Sequence, residues 1–148
     1  MSFRAAKIAF EKRLNDAWSL SALKWPNTPF EPQVDSNGNV RPYVAYHRRE
    51  NDGQLVTLNE DQPNSWRRYS GVVVLSIFIP ENTSDALTAT YTDAINAIFK
   101  GVEFCYTDPD TDEFSGIIRT RTPYGVEVGP AEGWWQYNVV ISYIRDDH

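Results

Sequence analysis

The chain has 148 residues, a formal net charge of −6 and 41% hydrophobic residues, a length and composition suited to one domain with a sizeable core. The acidic balance argues against specific nucleic-acid binding, which relies on clustered Lys and Arg to neutralise phosphates. No apolar run approaches the roughly 20 residues that cross a bilayer, and the charged N-terminus does not resemble a signal peptide. We therefore expect a single domain over residues 1–148, with no membrane partner, in the cytosol or in something assembled there.

An amphipathic pattern predicts a first helix over residues 3–23. The stripe predicted to pack on a sheet consists of Phe3, Ala6, Phe10, Leu14 and Ala17. Residues 24–42 contain repeated prolines, which push the preceding residues towards extended geometry, so a non-helical arm or an irregular edge strand follows. Within it, Asn37 and Gly38 suit the positive-φ positions of a hairpin turn.

Shorter elements are predicted between this arm and the middle of the chain. Residues 43–49 alternate as a strand, residues 55–58 form a short extended piece, and residues 59–65 are polar and contain a proline. The last of these segments predicts a flexible loop.

The longest strand signal lies in residues 66–80, and the rest of the chain is organised around it. Its apolar parity consists of Tyr69, Val73, Leu75, Ile77 and Ile79. The other parity mixes apolar and polar residues, whereas a solvent-facing side of an antiparallel sheet is usually polar. We therefore expect something to lie against both faces of this strand.

A second helix follows, with its end at Lys100 and Gly101 and its N-cap at Thr83 or Ser84. The predicted buried stripe of this helix is Leu87, Tyr91, Ala94, Ile95 and Ile98.

The remaining sequence predicts strands. Residues 102–106 form a short one, residues 116–128 a pair at a sheet edge or one strand with a bulge, and residues 134–145 a last strand of clean parity. The element order indicates an α+β fold, with a mostly antiparallel sheet and two main helices packed on one face.

No residue pattern gives a positive reason to expect an enzyme, a metal or a cofactor. The acidic turn at 108–113 has Asp at alternate positions but lacks the Gly and Glu of a calcium loop, so a solvated turn is favoured. His47 has no second histidine at metal-ligand spacing. The single cysteine, Cys105, lies in an apolar run and is expected to be a buried small side chain.

Arginines and tryptophans are the more informative side chains. Arg119 and Arg121 are two residues apart, which places them on one face of a strand, where they grip carboxylates or bridge to another chain. The alternative is a solubilising edge that discourages strand pairing. The predicted subunit or tube interface residues are Arg67, Arg68, Arg119, Arg121 and Trp134.

The order and spacing of these elements resemble the tail terminator (tail completion) proteins of long-tailed bacteriophages, a family of minor tail proteins that includes the lambda-like terminators. The resemblance spans nearly the whole chain and is carried by Leu14 and Trp18 of the first helix, the turn at 25–30, Tyr43 and Val44, the strand at 68–80, the helix end at 99–101 and the closing strand at 135–144.

This resemblance implies a structural protein of the virion tail, made in the host bacterial cytoplasm. It implies a hexameric ring of identical copies that caps the tail tube, stops its polymerisation and contacts the head–tail connector. Its partners would be itself, the tail tube protein and the connector protein. DNA would pass through without specific binding, and the acidic balance suits such a lumen.

Two alternatives stay open. One is another head–tail joining (neck) protein, of the same class but at a different position. The other is a small-ligand-binding or enzymatic α+β domain with a pocket between sheet and helices, for which the candidate residues are Tyr43, Tyr46, His47 and Trp66.

Overall fold

A computed structural model describes residues 2–51, 54–55, 66–83 and 86–147. Within these residues the chain forms two helices, α1 (Ser2–Ala17) and α2 (Ala86–Phe99). The strands are β1 (Ala22–Lys24), β2 (Tyr43–Glu50), β3 (Gln54–Leu55), β4 (Arg67–Pro80), β5 (Glu103–Thr107), β6 (Phe114–Thr120), β7 (Tyr124–Ala131) and β8 (Trp134–Asp147). The predicted α+β class is confirmed.

The strands form one sheet in the order β1-β2-β4-β8-β6-β5, with β3 also paired to β4 and β7 also paired to β8. β1 pairs with β2 in parallel, whereas each of the other described pairs is antiparallel. β4 and β8 are the longest strands and pair with each other along their whole length. They form the centre of the sheet.

The predicted parity of β4 is confirmed by its burial. Val73, Leu75, Ile77 and Ile79 are all buried, because alternate side chains of a strand point to the same face. We call this side of the sheet the core face. The facing residues of β8, Val139, Ile141 and Tyr143, are buried on the same side.

The first helix is shorter than predicted, since α1 ends at Ala17 and the chain then enters β1. Ala6, Phe10 and Leu14 are buried as predicted. Phe3 and Ala17 are exposed, so their assignment to the stripe was wrong. The period of 3.6 residues placed the stripe correctly in the middle of the helix but not at its ends.

The second helix buries Tyr91, Ile95, Ile98 and Phe99, whereas Leu87 is 39% exposed, contrary to prediction. The helix end is as predicted, because Gly101 adopts a φ of 57°, the left-handed conformation that favours glycine after a helix. The hydroxyl of Thr83 donates to the carbonyl of Pro80 at 2.6 Å. The alternative cap, Ser84, lies outside the described residues.

The proline-rich arm is non-helical, as predicted, and forms a single isolated bridge between Val34 and Val40. Gly38, at the tip of its turn, has a φ of 83°. The predicted extended piece at 55–58 is described only at Leu55, which belongs to β3, and the predicted loop at 59–65 lies outside the described residues.

The pair of strands predicted in residues 116–128 is present as β6 and β7, and β7 has a bulge between Glu127 and Gly129. The two pair with opposite ends of the same edge of β8. Neither described helix is long and apolar enough to cross a membrane.

Candidate functional site

The side of the sheet opposite the core face, here called the outer face, is neither fully buried nor polar. Val72 and Val74 of β4 are only partly buried, as are Val140 and Ile144 of β8. Their neighbours on β7 are more exposed; Val126, for example, is 44% exposed. An apolar face of this kind, rimmed by polar groups, is typical of an interaction surface.

One end of the outer face is covered by aromatic rings from the same chain. Tyr43 of β2 stacks on Phe78 with ring centroids 4.8 Å apart, and Phe30 of the arm packs on Tyr43 at 4.8 Å. The indole of Trp134 meets Tyr43 edge-on at 5.1 Å. The predicted interface residue Trp134 thus contacts its own chain and remains partly exposed.

The other end of the outer face carries arginine–carboxylate pairs. Arg68 binds Asp146 with two hydrogen bonds of 2.7 and 3.0 Å. Arg119 reaches the same carboxylate at 2.8 Å and Glu103 at 2.8 Å. The hydrogen bonds from Arg68 hold the pKa of Asp146 below its ordinary value, although burial acts against them. These two predicted interface arginines therefore have partners within the chain.

Arg67 and Arg121 differ from them, because neither forms an ion pair with any residue that the structure describes. Arg121 lies one residue beyond β6, and its backbone N–H donates to Ser142 at 2.9 Å. This continuation of the ladder puts Arg121 on the same face as Arg119. Arg119 and Arg121 therefore lie on one face, although Arg121 is beyond the end of β6.

Arg121 and Arg49 of β2 line a groove of about 520 Å³ on the outer face. Ser70, Gly71 and Ser142 also line it. Arg49, like Arg121, is exposed and has no ion pair to a described residue. Two such guanidinium groups beside a polar groove are suited to bind carboxylates of another chain. Arg49 was not among the residues predicted from the sequence.

A charged network on the core face was also missed. Arg145 is fully buried and binds both carboxylate oxygens of Glu50 at 2.9 Å. It also donates to the hydroxyl of Tyr106 at 3.0 Å and lies 4.0 Å from the ring centroid of Tyr69. The hydroxyl of Tyr143 donates to Glu50 at 3.0 Å.

The hydrogen bonds of this network are made within the chain and join three strands, β2, β5 and β8. Burial alone would raise the pKa of Glu50, but the guanidinium of Arg145 and the hydroxyl of Tyr143 hold it below its ordinary value. One signal in the sequence pointed to this: Arg145 continues the apolar parity of the last strand, where a charge needs a buried partner. Because Arg145 is fully buried and held by these partners, we expect the network to stabilise the fold rather than to bind a ligand.

A groove of about 890 Å³ lies between α1, α2 and β5. Ala9, Ala94, Ala97 and Phe104 line it. Cys105 lies on the same strand and is exposed, so the expectation of a buried thiol was wrong. The register Cys105↔Ile117 places its side chain on the outer face, while its neighbours Phe104 and Tyr106 point to the core face.

The candidate pocket residues of the ligand-binding alternative converge only in part, since Tyr46 and His47 line a groove of about 420 Å³ beside the arm. Tyr43 lies on the outer face, whereas Tyr46 is buried against Trp25 with ring centroids 5.3 Å apart. His47 is exposed. In the acidic turn, Asp108 accepts hydrogen bonds from the N–H groups of Asp110 and Thr111. The residues that the structure describes include no group of three His, Cys, Asp or Glu side chains arranged to hold a metal.

Comparisons with known proteins give the fold first and then the family. Eight chains of solved structures resemble this one significantly. One of them superposes with a TM-score of 0.69 at 20% sequence identity, over 100% of this chain and 96% of its own, and its name is a sequence label without a functional description. At that identity the likeness shows the fold alone. No curated protein matches significantly.

The family model of phage tail terminator proteins matches residues 6–143. The chain therefore belongs to the phage tail terminator protein family, and the resemblance noted in its sequence is confirmed. The family gives it a structural role in a phage tail.

Proposed function

We propose that copies of this chain form a closed ring that caps the tail tube, stops addition of tube subunits and presents a surface to the head–tail connector. The ring would be hexameric, a virion component made in the host cytoplasm, with the whole of residues 1–148 acting as one structural domain without enzymatic activity. The family membership supports this role.

The observation that carries the proposal is the outer face. Its centre is apolar and only partly buried, and Arg49 and Arg121 stand beside it without ion pairs to described residues. Exposure of these groups together does not stabilise a monomer, whereas a closed ring needs a heterologous interface in which two different patches of the same chain are complementary. A stable interface hides roughly 800 Å² on each partner.

The direct test is a polymerisation assay with the cognate tail tube protein. Purified tube protein is assembled with and without this chain, and tube lengths are measured by electron microscopy. We expect shorter tubes with a ring at one end, in proportion to the amount of chain added. Unchanged tube lengths and bare tube ends would contradict the proposal.

The same images separate the neck-protein alternative. A neck protein would bind to capped tubes or to connectors without changing tube length. Binding of isolated connector, with tubes of unaltered length, would therefore assign the chain to a different position in the head–tail junction.

The groove between α1, α2 and β5 favours the second candidate function, the binding of a small apolar ligand. Its volume of about 890 Å³ lies within the range of ligand pockets. A thermal-shift screen tests it, because a ligand at 100 times its Kd adds about 2.7 kcal/mol of stability. The absence of any shift across a broad metabolite library would leave the groove as a surface feature.

A further inference from the structure

The first half of β7 is an open strand edge with unusual side chains. Within the described residues β7 pairs only with β8, so its other edge presents N–H and C=O groups to solvent. Tyr124 is 53% exposed and Val126 is 44% exposed. Natural edge strands are protected by lysines, prolines or bulges. In β7 the bulge and Pro130 protect only the second half, and the strand contains no Lys or Arg.

This edge is preformed rather than loosely attached. Tyr124, Gly125, Val126 and Glu127 are in register with β8. The ring of Tyr137 lies so close over Gly125 that a Cβ there would approach its hydroxyl within 1.6 Å. Because the backbone of β7 is held in this way, little conformational entropy is lost when another strand pairs with it.

A complementary edge lies on the other side of the sheet. β1 pairs with β2 only at residues 43–45, and no other described strand pairs with the outer edge of β2 beyond them. His47 and Arg49 are exposed along this open part. The outer-face side chains of β7, Tyr124 and Val126, carry no positive charge, so no like charge opposes Arg49 when the two edges meet.

The strand directions also match. β2 is antiparallel to β4, β4 to β8 and β7 to β8, so β7 runs antiparallel to β2. A second copy placed beside the first in the same orientation therefore brings β7 against β2 as an antiparallel pair, which is the slightly more stable arrangement. Since the two edges lie on opposite sides of the sheet, the contact is head-to-tail and closes into a ring if the rotation per copy allows it.

We propose that β7 of one copy pairs with the open edge of β2 in the next copy, so that the sheet continues from subunit to subunit. In this arrangement Tyr124 and Val126 extend the apolar outer face of the neighbour, with Arg49 beside Tyr124. Strand addition of this kind takes its affinity from main-chain hydrogen bonds and its specificity from alternate side chains. The inference rests on the ring of the proposed function and names the surfaces that join its subunits.

The first test is the substitution Val126→Lys, with Leu87→Lys on α2 as a control of similar exposure. The new cation would face His47 and Arg49 of the neighbour. Sedimentation velocity over a concentration series, with and without tube ends, should show assembly weakened at least about ten-fold by Val126→Lys and unchanged by Leu87→Lys, because like charges at an interface cost several kcal/mol. Combination with Arg49→Glu should restore assembly.

The second test does not depend on how Val126→Lys folds. In a Cys105→Ser background, Val126→Cys is combined with His47→Cys, the position directly opposite Val126 when Arg49 lies beside Tyr124, and the protein is oxidised mildly at tube ends. We expect disulfide-linked ladders ending at the ring size for the double variant and none for either single variant.

The outcomes separate the two proposals. Capped tubes with no ladder and no effect of Val126→Lys would overturn the strand pairing and leave the capping function intact. Dimers linked through Val126→Cys alone would show a two-fold β7–β7 contact and likewise overturn it. The absence of any ring at tube ends would overturn both proposals.

Discussion

The two faces of the sheet carry similar residue types, arginines and apolar side chains, in different environments. On the core face a buried arginine, Arg145, is matched by the carboxylate of Glu50 and by the hydroxyl of Tyr106, and the apolar side chains at the centre of this face are buried. On the outer face valines remain partly exposed, and Arg49 and Arg121 have no ion pair to a described residue. The difference separates residues that hold the fold from residues available for assembly.

The largest effect is expected from the substitution Glu50→Gln, which leaves the charge of Arg145 buried without its main partner. Removal of one member of a buried pair costs about 3–5 kcal/mol. Chemical denaturation should show this loss of the free energy of unfolding. Glu31→Gln, in the exposed arm, is the matched control and should change little. A loss below about 1 kcal/mol in Glu50→Gln would mean that the network does not stabilise the fold.

The next largest effect is expected from truncation of Leu75, which we compare with truncation of Val74, the adjacent residue of β4 on the opposite face. Leu75→Ala should cost about 2–5 kcal/mol, because Leu75 is fully buried and the truncation leaves a cavity. Val74→Ala, on the partly buried outer face, should cost about 1 kcal/mol or less. Thermal and denaturant unfolding measure the stability of both variants. Equal losses in Leu75→Ala and Val74→Ala would show that the outer face is as tightly packed as the core.

A smaller effect is expected from pH. The pKa values of Glu50 and Asp146 are held below their ordinary values of 4.5 and 3.8, so folding favours the ionised carboxylates. Their contribution is fully present above those values and is lost as the pH falls through the lower pKa values of the folded state. The denaturant concentration at the unfolding midpoint should therefore decrease as the pH is lowered below about 4.5. The decrease should be less steep in Glu50→Gln, and parallel curves for this variant and the unmodified chain would contradict the account.

The smallest effect on stability belongs to the outer face. Arg121→Glu removes no ion pair to a described residue, so the free energy of unfolding should change by at most about 0.5 kcal/mol. Ring formation at tube ends should nevertheless weaken, as predicted for this residue from sequence. Arg68→Glu is the contrasting variant, because it also breaks the pair with Asp146 and should reduce both stability and assembly.

Sequence periodicity was sufficient for the elements that span the core. The parity of β4 was predicted because Val73, Leu75, Ile77 and Ile79 alternate without interruption, and Gly101 marked the end of α2. The ends of the helical stripes were wrong at Phe3 and Leu87, since periodicity does not show where the partner surface stops. β1 was missed because three residues carry no measurable alternation.

The candidate site was predicted less completely, for a physical reason. The presence of an arginine in the sequence does not show whether the fold places a carboxylate beside it. Arg68 and Arg119 are bound by Asp146, which lies in a distant part of the chain, whereas Arg121 and the unpredicted Arg49 meet at a groove only through the pairing of strands far apart in sequence. Long-range register decides which arginines have partners within the chain.

The most direct test of the whole account is a cryo-electron microscopy reconstruction of a tail tube end with this chain bound. The account predicts a closed ring in which the outer face and the edges of β2 and β7 are buried between copies, while the contact of Arg145 with Glu50 is unchanged. A bound chain that is monomeric, or that leaves those edges in solvent, would contradict it.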